Sequence, residues 1–301
     1  MRELWRYRHL WGQSGLIEIF REIKESMQSD GKFWHASFRK VVSNATVAGV
    51  WCDLSYSPGN PPANFYATEP LVSATLSPAK GIDNGGNVSP DRKFVKKLFV
   101  YSQSTGFQSS TLMLCDYLLY YPFIDGDDTA PQTFTNSVSL PRSTDGKGVR
   151  AMLVSQGSYN GGVTFQIEYT NQDGTPGRLS PLVTTNTAAL AATVVNSGTH
   201  VGGSGPFVPM QGGDTGIRSV ESITFASPNG GILSLVLVKP IFEIGIEEVT
   251  ASLNTPSQLE NFYDQMNGNV IEDGAYLNFI CLPNASLSAG ILSGMLVTTW
   301  R

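Results

Sequence analysis

The strongest constraint on the fold is a two-residue alternation of apolar and polar side chains near the middle of the chain. The apolar positions are Val163, Phe165, Ile167 and Tyr169, and the polar residues between and after them are Thr164, Gln166, Glu168 and Thr170. This period is typical of a strand with one buried and one solvated face. Residues 149–154 are also strand-like, and the intervening SQGSYNGG is rich in turn formers. The pattern predicts an antiparallel hairpin.

The composition favours turns and packed surfaces over solvated helices. Of the 301 residues, 41% are hydrophobic and only 15% are charged, and the chain contains 31 Gly and 17 Pro. A net charge of −5 gives no global reason to expect nucleic-acid binding. The first residues lack the apolar core of a secretory signal, and no run approaches the length of a membrane span. We therefore expect a protein of the reducing cytoplasm with no membrane partner.

The three cysteines predict neither a disulfide framework nor a metal site. Cys52, Cys115 and Cys281 are odd in number and far apart in the sequence. We expect them to be buried as small hydrophobic side chains.

The first 40 residues differ from the rest of the chain and predict a helical docking arm, with the β region at 41–301. They contain eight basic and five acidic residues and three of the five tryptophans. A helix is predicted over residues 15–28, ending before Gly31. Its apolar face comprises Leu16, Ile19, Phe20, Ile23 and Met27.

An aromatic and basic cluster precedes this helix and is the best functional signal in the sequence. It consists of Trp5, Arg6, Tyr7, Arg8 and Trp11. Arg and Trp are favoured anchors at protein interfaces, so we expect this cluster and the residues Leu16, Ile19, Phe20 and Ile23 to dock on a partner. Two alternatives remain open: the arm packs on its own β region, or its aromatics stack on single-stranded nucleic acid.

Further strands are predicted along the β region, separated by loops at 57–65 and 77–91. Residues 94–101 and 111–121 read as neighbours in one sheet, and residues 220–226 and 232–239 read as a second hairpin, with ILSLVLV buried on both faces. Two strands at 275–282 and 290–300 close the chain. Residues 223–240 and 277–300 share a pattern of strand, Pro-Asn turn and strand. This similarity is compatible with a duplicated hairpin or with the sequence pattern common to hairpins in general.

Two segments do not fit a simple strand pattern. Residues 256–267 are predicted to form a short helix, because Thr255 can cap it, Pro256 suits its first position and Gly268 can end it. Residues 172–216 contain nine glycines and only three charged residues. A long loop of such low charge favours packing against a neighbouring protein, and the same segment is where the β region would break if it formed two subdomains.

Catalytic patterns are missing from the sequence. The imidazole bases are limited to His9, His35 and His200, there is no nucleophile elbow, and no glycine-rich phosphate fingerprint opens a helix. Asp125, Asp127 and Asp128 are better explained as a polar turn than as a Ca²⁺ site. We expect no enzyme activity, no cofactor and no metal. One alternative stays open: several glutamates could come together in the fold as the paired carboxylates of a sugar hydrolase. They are Glu168, Glu221, Glu243, Glu247 and Glu248.

Taken together, these features indicate an all-β protein, an antiparallel β-sandwich or jelly roll with an N-terminal helical arm. The arm MRELWRYRHLW, the uncharged segment 172–216 and the closing strands GILSLVLV and GILSGMLVTTW resemble virion structural proteins of tailed bacteriophages. The resemblance implies a non-enzymatic subunit of a viral particle, as a capsid-decorating, head-vertex or tail-associated protein. It also implies partners among other virion proteins and copies of itself, and assembly in the host cytoplasm.

Two other classes of function are compatible with the same features. A glycan-binding or glycan-cleaving receptor-recognition protein would use exposed aromatics and acids, with Tyr159, Phe207 and the glutamates as the places to look. A cellular β-sandwich adaptor would differ only in its partner.

Overall fold

The protein is an antiparallel β-sandwich with very little helix. The computed structural model describes residues 21, 24–102, 107, 109–198, 205–246, 257–260 and 270–301. Short 3₁₀ helices lie at Leu54–Tyr56 and Pro78–Lys80. The strands of the described residues are β1 Phe33–Val41, β2 Cys52–Asp53, β3 Gly59–Asn60, β4 Ala74–Thr75, β5 Lys93–Ser102, β6 Thr111–Asp125, β7 Gln132–Thr133, β8 Arg150–Ser155, β9 Thr164–Asn171, β10 Arg178–Leu179, β11 Val183–Thr184, β12 Ile217–Phe225, β13 Ile232–Gly245, β14 Ser257–Glu260, β15 Val270–Ile271, β16 Leu277–Leu282 and β17 Ile291–Trp300.

The strands form three sheets. Sheet A has the order β14-β5-β17-β1-β3, with β15 also paired to β5. Sheet B has the order β2-β16-β6-β13-β8, with β4 added to β6. Sheet C has the order β10-β9-β12-β7, with β11 added to β9. Within the part of the chain that the structure describes, no helix has the length and hydropathy of a membrane span.

The long strands β6 and β13 make sheet B the centre of the molecule. One face of sheet B packs on sheet C at one end, through side chains such as Leu119 and Leu235. The same face packs on sheet A at the other end, through Leu114 and Phe242. Bulges in the pairing of β6 with β13 keep the apolar residues on this face. The predicted burial of ILSLVLV on both faces is confirmed for residues 233–238, whereas the first residue, Ile232, is 49% exposed.

Loops, rather than a further sheet, cover the opposite face of sheet B. Trp51, Tyr66 and Val194 pack there against Tyr117 and Val236. The segment 172–216 contributes to this cover, and its described residues also enter the core between sheets B and C. Part of this segment is therefore buried within its own chain, while Leu179 and Leu182 are 49% and 63% exposed. The predicted packing of the segment against a neighbouring protein stays a prediction.

Asparagine side chains hold this segment in place. Asn186 Nδ2 donates to the carbonyl oxygens of Val194, Val195 and Ser197 at 2.7–3.0 Å. Asn196 accepts from the Leu153 amide at 2.8 Å and donates to the Pro206 carbonyl at 3.1 Å. These bonds satisfy buried backbone groups that lack ladder partners.

The predicted strands are present, but the predicted hairpins are wrong. Residues 149–154 and 163–170 correspond to β8 and β9, which lie in sheets B and C and pair with β13 and β12 respectively. The predicted pair at 220–226 and 232–239 is likewise divided, with β12 in sheet C and β13 in sheet B. The strands at 94–101 and 111–121 are also not neighbours, because β5 belongs to sheet A and β6 to sheet B.

Connection length explains why these strands cross between sheets. The linkers 156–163 and 226–231 are longer than the two-residue turns of tight hairpins. At about 3.3 Å per residue they can span the roughly 10 Å between packed sheets. Strands joined in this way lie in facing sheets and contact each other through their side chains. The alternation of side chains along each strand is the same as in the strands of a hairpin.

Two element boundaries also differ from the prediction. The arm boundary at residue 40 falls inside β1, whose nine residues pair with β17 from Phe33↔Thr299 to Val41↔Ile291. The helix predicted at 256–267 is wrong for residues 257–260, which form β14 on β5; residues 261–267 lie outside the described residues. Backbone hydrogen bonding to the edge of β5 stabilises residues 257–260 as a strand more than the predicted helix cap stabilises a helix. Helix propensity and capping are weak determinants that tertiary contacts can override.

The end of the predicted N-terminal helix is confirmed, whereas its beginning lies outside the described residues. Residues 24–29 are helical. Gly31 has a φ of +65°, and the Lys32 amide donates to the Ser26 carbonyl at 3.2 Å. The left-handed conformation of Gly31 ends the helix and turns the chain directly into β1.

We predict that Gly294→Ala lowers the free energy of unfolding by about 1–3 kcal/mol or more, as expected for overpacking. A Cβ at this position in β17 would lie 2.2 Å from the Phe99 carbonyl oxygen and 2.4 Å from Phe38 Cζ. The matched control is Gly245→Ala in β13, where a Cβ meets no atom within 4 Å. The control should change stability by no more than about 0.5 kcal/mol. Urea unfolding followed by fluorescence measures both, and equal effects would contradict the packing described for β17.

Candidate functional site: the outer face of sheet A

The outer face of sheet A is built from the first and last strands of the sandwich together with β5. Backbone register aligns the side chains in rows across these strands. One row contains Ser37, Met295 and Phe99. The row next to it contains Arg39, Ser293 and Tyr101. Because side chains alternate along a strand, Phe33 and His35 point to the same side as Ser37.

This face carries aromatic and apolar groups that reach solvent. Phe33 is 40% exposed and Met295 is 38% exposed. The rings of Phe33 and His35 are 5.3 Å apart, and those of Phe99 and Tyr101 are 5.9 Å apart. The face therefore presents preformed aromatic pairs, which lose little side-chain entropy when a partner covers them.

The N-terminal segment enters the molecule at the border of this face. The Lys32 carbonyl accepts from Thr299 Oγ1 at 2.9 Å, and Lys32 Nζ lies 2.7 Å from Asp91. Ser26 lines a cavity of about 440 Å³ together with Arg92, Phe94 and Arg301. Arg92 also stacks over the Phe94 ring at 5.8 Å. The helix that precedes β1 thus ends beside the outer face.

The interface residues proposed from the sequence lie outside the described residues, so their positions stay predictions. They are Trp5, Arg6, Tyr7, Arg8, Trp11, Leu16, Ile19, Phe20 and Ile23. The outer-face residues were missed because residues 1–40 were assigned to an arm. The alternation in FWHASFRKV, with Phe33 and His35 on one side and Ala36 and Phe38 on the other, was the available signal.

The outer face of sheet C is mainly polar, with one exposed leucine: Leu179 of β10 lies directly opposite Glu168 and is 49% exposed. Glu221 Oε1 accepts from Thr170 Oγ1 at 2.8 Å and from Ser219 Oγ at 2.6 Å. Glu168 accepts from Ser222 Oγ at 3.4 Å. Partial burial raises the pKa of Glu221, and the nearby Glu168 charge adds to this.

Only part of the proposed glutamate group comes together. Glu168 and Glu221 are neighbours on sheet C, whereas Glu243 lies on β13 in sheet B. Glu247 and Glu248 lie outside the described residues. Tyr159 is buried at 4% exposure and bonds to Asn186, and Phe207 is half-buried against the cover of sheet B. The aromatic residues named for glycan binding therefore do not form an exposed platform with the acids.

A buried carboxylate connects the loop cover to sheet B. Asp53 Oδ1 accepts from the Ser55 amide at 2.8 Å and from the Tyr117 hydroxyl at 2.7 Å. Asp53 Oδ2 accepts from the hydroxyls of Ser55 and Tyr66. Burial raises the pKa of Asp53, while these donors favour its charged form. Because all four residues are buried, the cluster cannot reach a substrate and acts as a structural link.

Two inward-pointing lysines of sheet A fix the predicted loops. Lys40 Nζ donates to the carbonyl oxygens of Ser57 at 2.8 Å and Pro61 at 3.0 Å, and burial lowers the pKa of Lys40 to about 8. Lys93 Nζ donates to Asn84 Oδ1 at 2.8 Å and to the Gly86 carbonyl oxygen. Both amino groups are buried and satisfied by loop acceptors, which gives them a structural role.

Asp214 clamps a loop onto sheet C. Arg178 binds its carboxylate through two contacts, at 2.9 and 3.1 Å. The Tyr169 hydroxyl and Asn171 Nδ2 donate to the same carboxylate at 2.6 and 2.8 Å. The hydrogen bond from Arg178 is the main cause of a pKa lowered to about 2 at Asp214.

The remaining chemistry-bearing residues form no described site. Asp125 and Asp128 accept from the amides of residues 127 and 130 at 2.9 Å, which confirms a polar turn at this position. Within the described ranges, no group of three or more His, Cys, Asp or Glu side chains could hold a metal ion. His35 is exposed on β1, while His9 and His200 lie outside the described residues.

Comparisons with known proteins add little. No family model matches the chain, and no curated protein matches it. Among solved structures, the chain is similar to one titled "Crystal structure of infectious bursal disease virus VP2 subviral particle". The identity is 10%, the match covers 93% of this chain and 86% of that chain, and the TM-score is 0.16. A TM-score of this size supports no conclusion about fold or function.

We predict that Asp214→Asn reduces stability at neutral pH and weakens the acid dependence of unfolding. The folded-state pKa of about 2 lies below the ordinary value of 3.8. Asp214 therefore contributes stability that is present above about pH 4 and is lost as pH falls toward 2. Urea midpoints at pH 6 and pH 3 should differ less in the variant than in the wild type. The control is Asp173→Asn, an exposed residue of the same segment, and the same loss in both variants would contradict the clamp.

Proposed function

We propose that this protein is a non-enzymatic structural subunit of a viral particle that acts through protein–protein interfaces. Its partners would be copies of itself and other virion proteins, as in a capsid-decorating, head-vertex or tail-associated protein. It would be assembled in the host cytoplasm and reside in the virion. The observation that carries the proposal is the aromatic outer face of sheet A; the viral context rests on the sequence resemblance.

The contrast between the two outer sheets supports an interface on sheet A. Sheet C turns hydrogen-bonded Glu, Ser and Thr side chains to solvent, as expected of a surface that remains wet. Sheet A turns Met295, Phe99 and Tyr101 outward in two adjoining rows, and Phe33 lies two rows from Met295, beyond the row that contains His35 and Lys97. Scattered exposed apolar residues are normal, whereas a contiguous patch marks an interaction site. Aromatics and Met are also the residues enriched in the centres of interfaces.

The occupant that we propose for this face is a neighbouring copy, including its N-terminal segment. The helix at 24–29 ends beside Phe94, so the segment that precedes it starts at the border of the outer face. The sequence predicts an amphipathic helix there, and such a helix needs an apolar surface. A segment exchanged between copies adds interface area without a larger core, which suits a symmetric assembly.

We predict that the double variant Phe33→Glu and Met295→Glu converts a defined oligomer into monomers with little change in thermal stability. The physical reason is that two charges would be buried without partners in the interface. The matched control is Leu182→Glu, at a leucine that is 63% exposed in the segment leading into β11. Light scattering coupled to size exclusion gives the solution mass of the wild type and both variants. The control should retain the wild-type mass.

Deletion of residues 1–31 tests the contribution of the N-terminal segment in the same measurement. An oligomer that depends on both this segment and the outer face agrees with the proposal. A wild type that is monomeric at all concentrations, or an oligomer indifferent to the deletion and to the double variant, contradicts it. In that case sugar binding on a glycan array would become the next test.

A further inference from the structure

Two cysteines that are far apart in the sequence lie directly opposite each other in sheet B. Cys52 of β2 and Cys281 of β16 are partners in an antiparallel register. Directly opposite residues in such pairs have Cα atoms about 4.5–5.5 Å apart. Disulfides join residues whose Cα atoms are about 4.4–6.8 Å apart, so the Cα separation expected from this register falls within the range for a disulfide.

The side chains of the two cysteines are also in contact. Both lie in the core between sheets A and B, so they point to the same side of sheet B. Cys52 is also among the neighbours that raise the pKa of the Cys281 thiol. Burial and this contact raise the pKa of the Cys281 thiol well above its ordinary value, which makes it slow to react in the closed fold.

From this placement we propose that Cys52 and Cys281 are a redox pair that forms a disulfide by exchange with a small-molecule disulfide such as oxidised glutathione. The Cys52 thiolate attacks one glutathione sulfur, breaks its S–S bond, and releases one reduced glutathione. The Cys281 thiolate then attacks Cys52 Sγ in the mixed disulfide and releases the second. Two protein thiols are oxidised, and one glutathione disulfide is reduced to two thiols.

The fold favours Cys52 as the first to react. It is 4% exposed, whereas Cys281 is fully buried. Cys52 lies in a two-residue strand that is paired with β16 on one side and bonded to residues 192–194 on the other. Opening of β2 together with this part of the loop cover exposes Cys52, and its return to β16 places the mixed disulfide beside Cys281.

Cys115 provides an internal control within the same chain. It is buried and free, and it lies on the opposite face of sheet B, among the residues under the loop cover. It should therefore take no part in the exchange.

The disulfide would fix the loop cover to the central sheet. β2 leads directly into Asp53, whose carboxylate holds Tyr66 and Tyr117. A link between β2 and β16 prevents this segment from detaching alone and restricts the unfolded chain. Oxidation should therefore raise the melting temperature by several degrees and slow proteolysis within residues 51–66.

The experiment incubates the full chain with oxidised glutathione, and in parallel refolds it from denaturant in the same reagent. Each sample is quenched in denaturant with an alkylating agent, and its intact mass is measured. The expected product carries one alkylated cysteine instead of three and a disulfide-linked peptide pair containing Cys52 and Cys281. Cys115→Ser should retain the bridge, whereas Cys281→Ser and Cys52→Ala should each lose it. The rise in melting temperature should disappear with a reductant.

Two outcomes would overturn the proposal. One is that all three cysteines stay alkylatable after both incubation and refolding, because the refolded sample removes burial as an obstacle. The other is a product in which Cys115 is bridged or in which glutathione stays attached to Cys52. Using two separate cysteine variants keeps the test decisive if one of them fails to fold.

Discussion

The pairing of β6 with β13 is the constraint on which the rest of the structure depends. The two strands run antiparallel from Thr111↔Gly245 to Ile232↔Asp125, and apolar side chains line both of their faces. A ladder of this length is too long for one facing sheet, so sheet C covers one end and sheet A the other. The second face would be open without the loops that carry Trp51, Tyr66 and Val194. The loops of this protein are consequently part of its core.

This dependence explains which features of the fold could be predicted from the sequence. The alternation in β9 specified both the strand and its buried face, because period and burial are local properties. The pairing partners of β8, β9, β12 and β13 could not be predicted in the same way. Two strands show the same alternation of apolar and polar residues whether their connection crosses between two sheets or forms a hairpin within one sheet. The linker lengths carried the missing information, but only in combination with knowledge of where the opposite sheet lies. For β14 the decisive interaction is with the edge of β5, more than 150 residues away in the chain, and a window around residues 256–267 contains no trace of it.

The low charge of segment 172–216 agrees with the burial of part of that segment within its own chain. Asn186 and Asn196 replace ladder partners for buried carbonyl and amide groups, and they do so without charge. On sheet A, the amino groups of Lys40 and Lys93 likewise hold loops in place, because each donates hydrogen bonds to oxygen atoms of a loop. Such contacts join residues from distant parts of the sequence, so composition can indicate that polar groups are buried but cannot identify their partners. The candidate site was missed for a related reason: Phe33 and His35 were assigned to the arm that precedes the sheet.

The position of β1 places the end of the N-terminal segment next to the outer face of sheet A. β1 lies beside β17, so the strand next to the N-terminal segment also contributes Phe33 and His35 to the face that this segment borders. The five strands in the order of sheet A, spaced about 4.8 Å apart, are roughly 20 Å across. The helix predicted over residues 15–28 is about 21 Å long and is preceded by fourteen further residues, so the whole N-terminal segment exceeds the width of the sheet. A segment of that length, anchored at the edge by the turn at Gly31, is long enough to cover its own face and to reach a neighbour. Burial of one aromatic face by an exchanged arm would then couple the folding of the arm to assembly, since neither surface is satisfied alone.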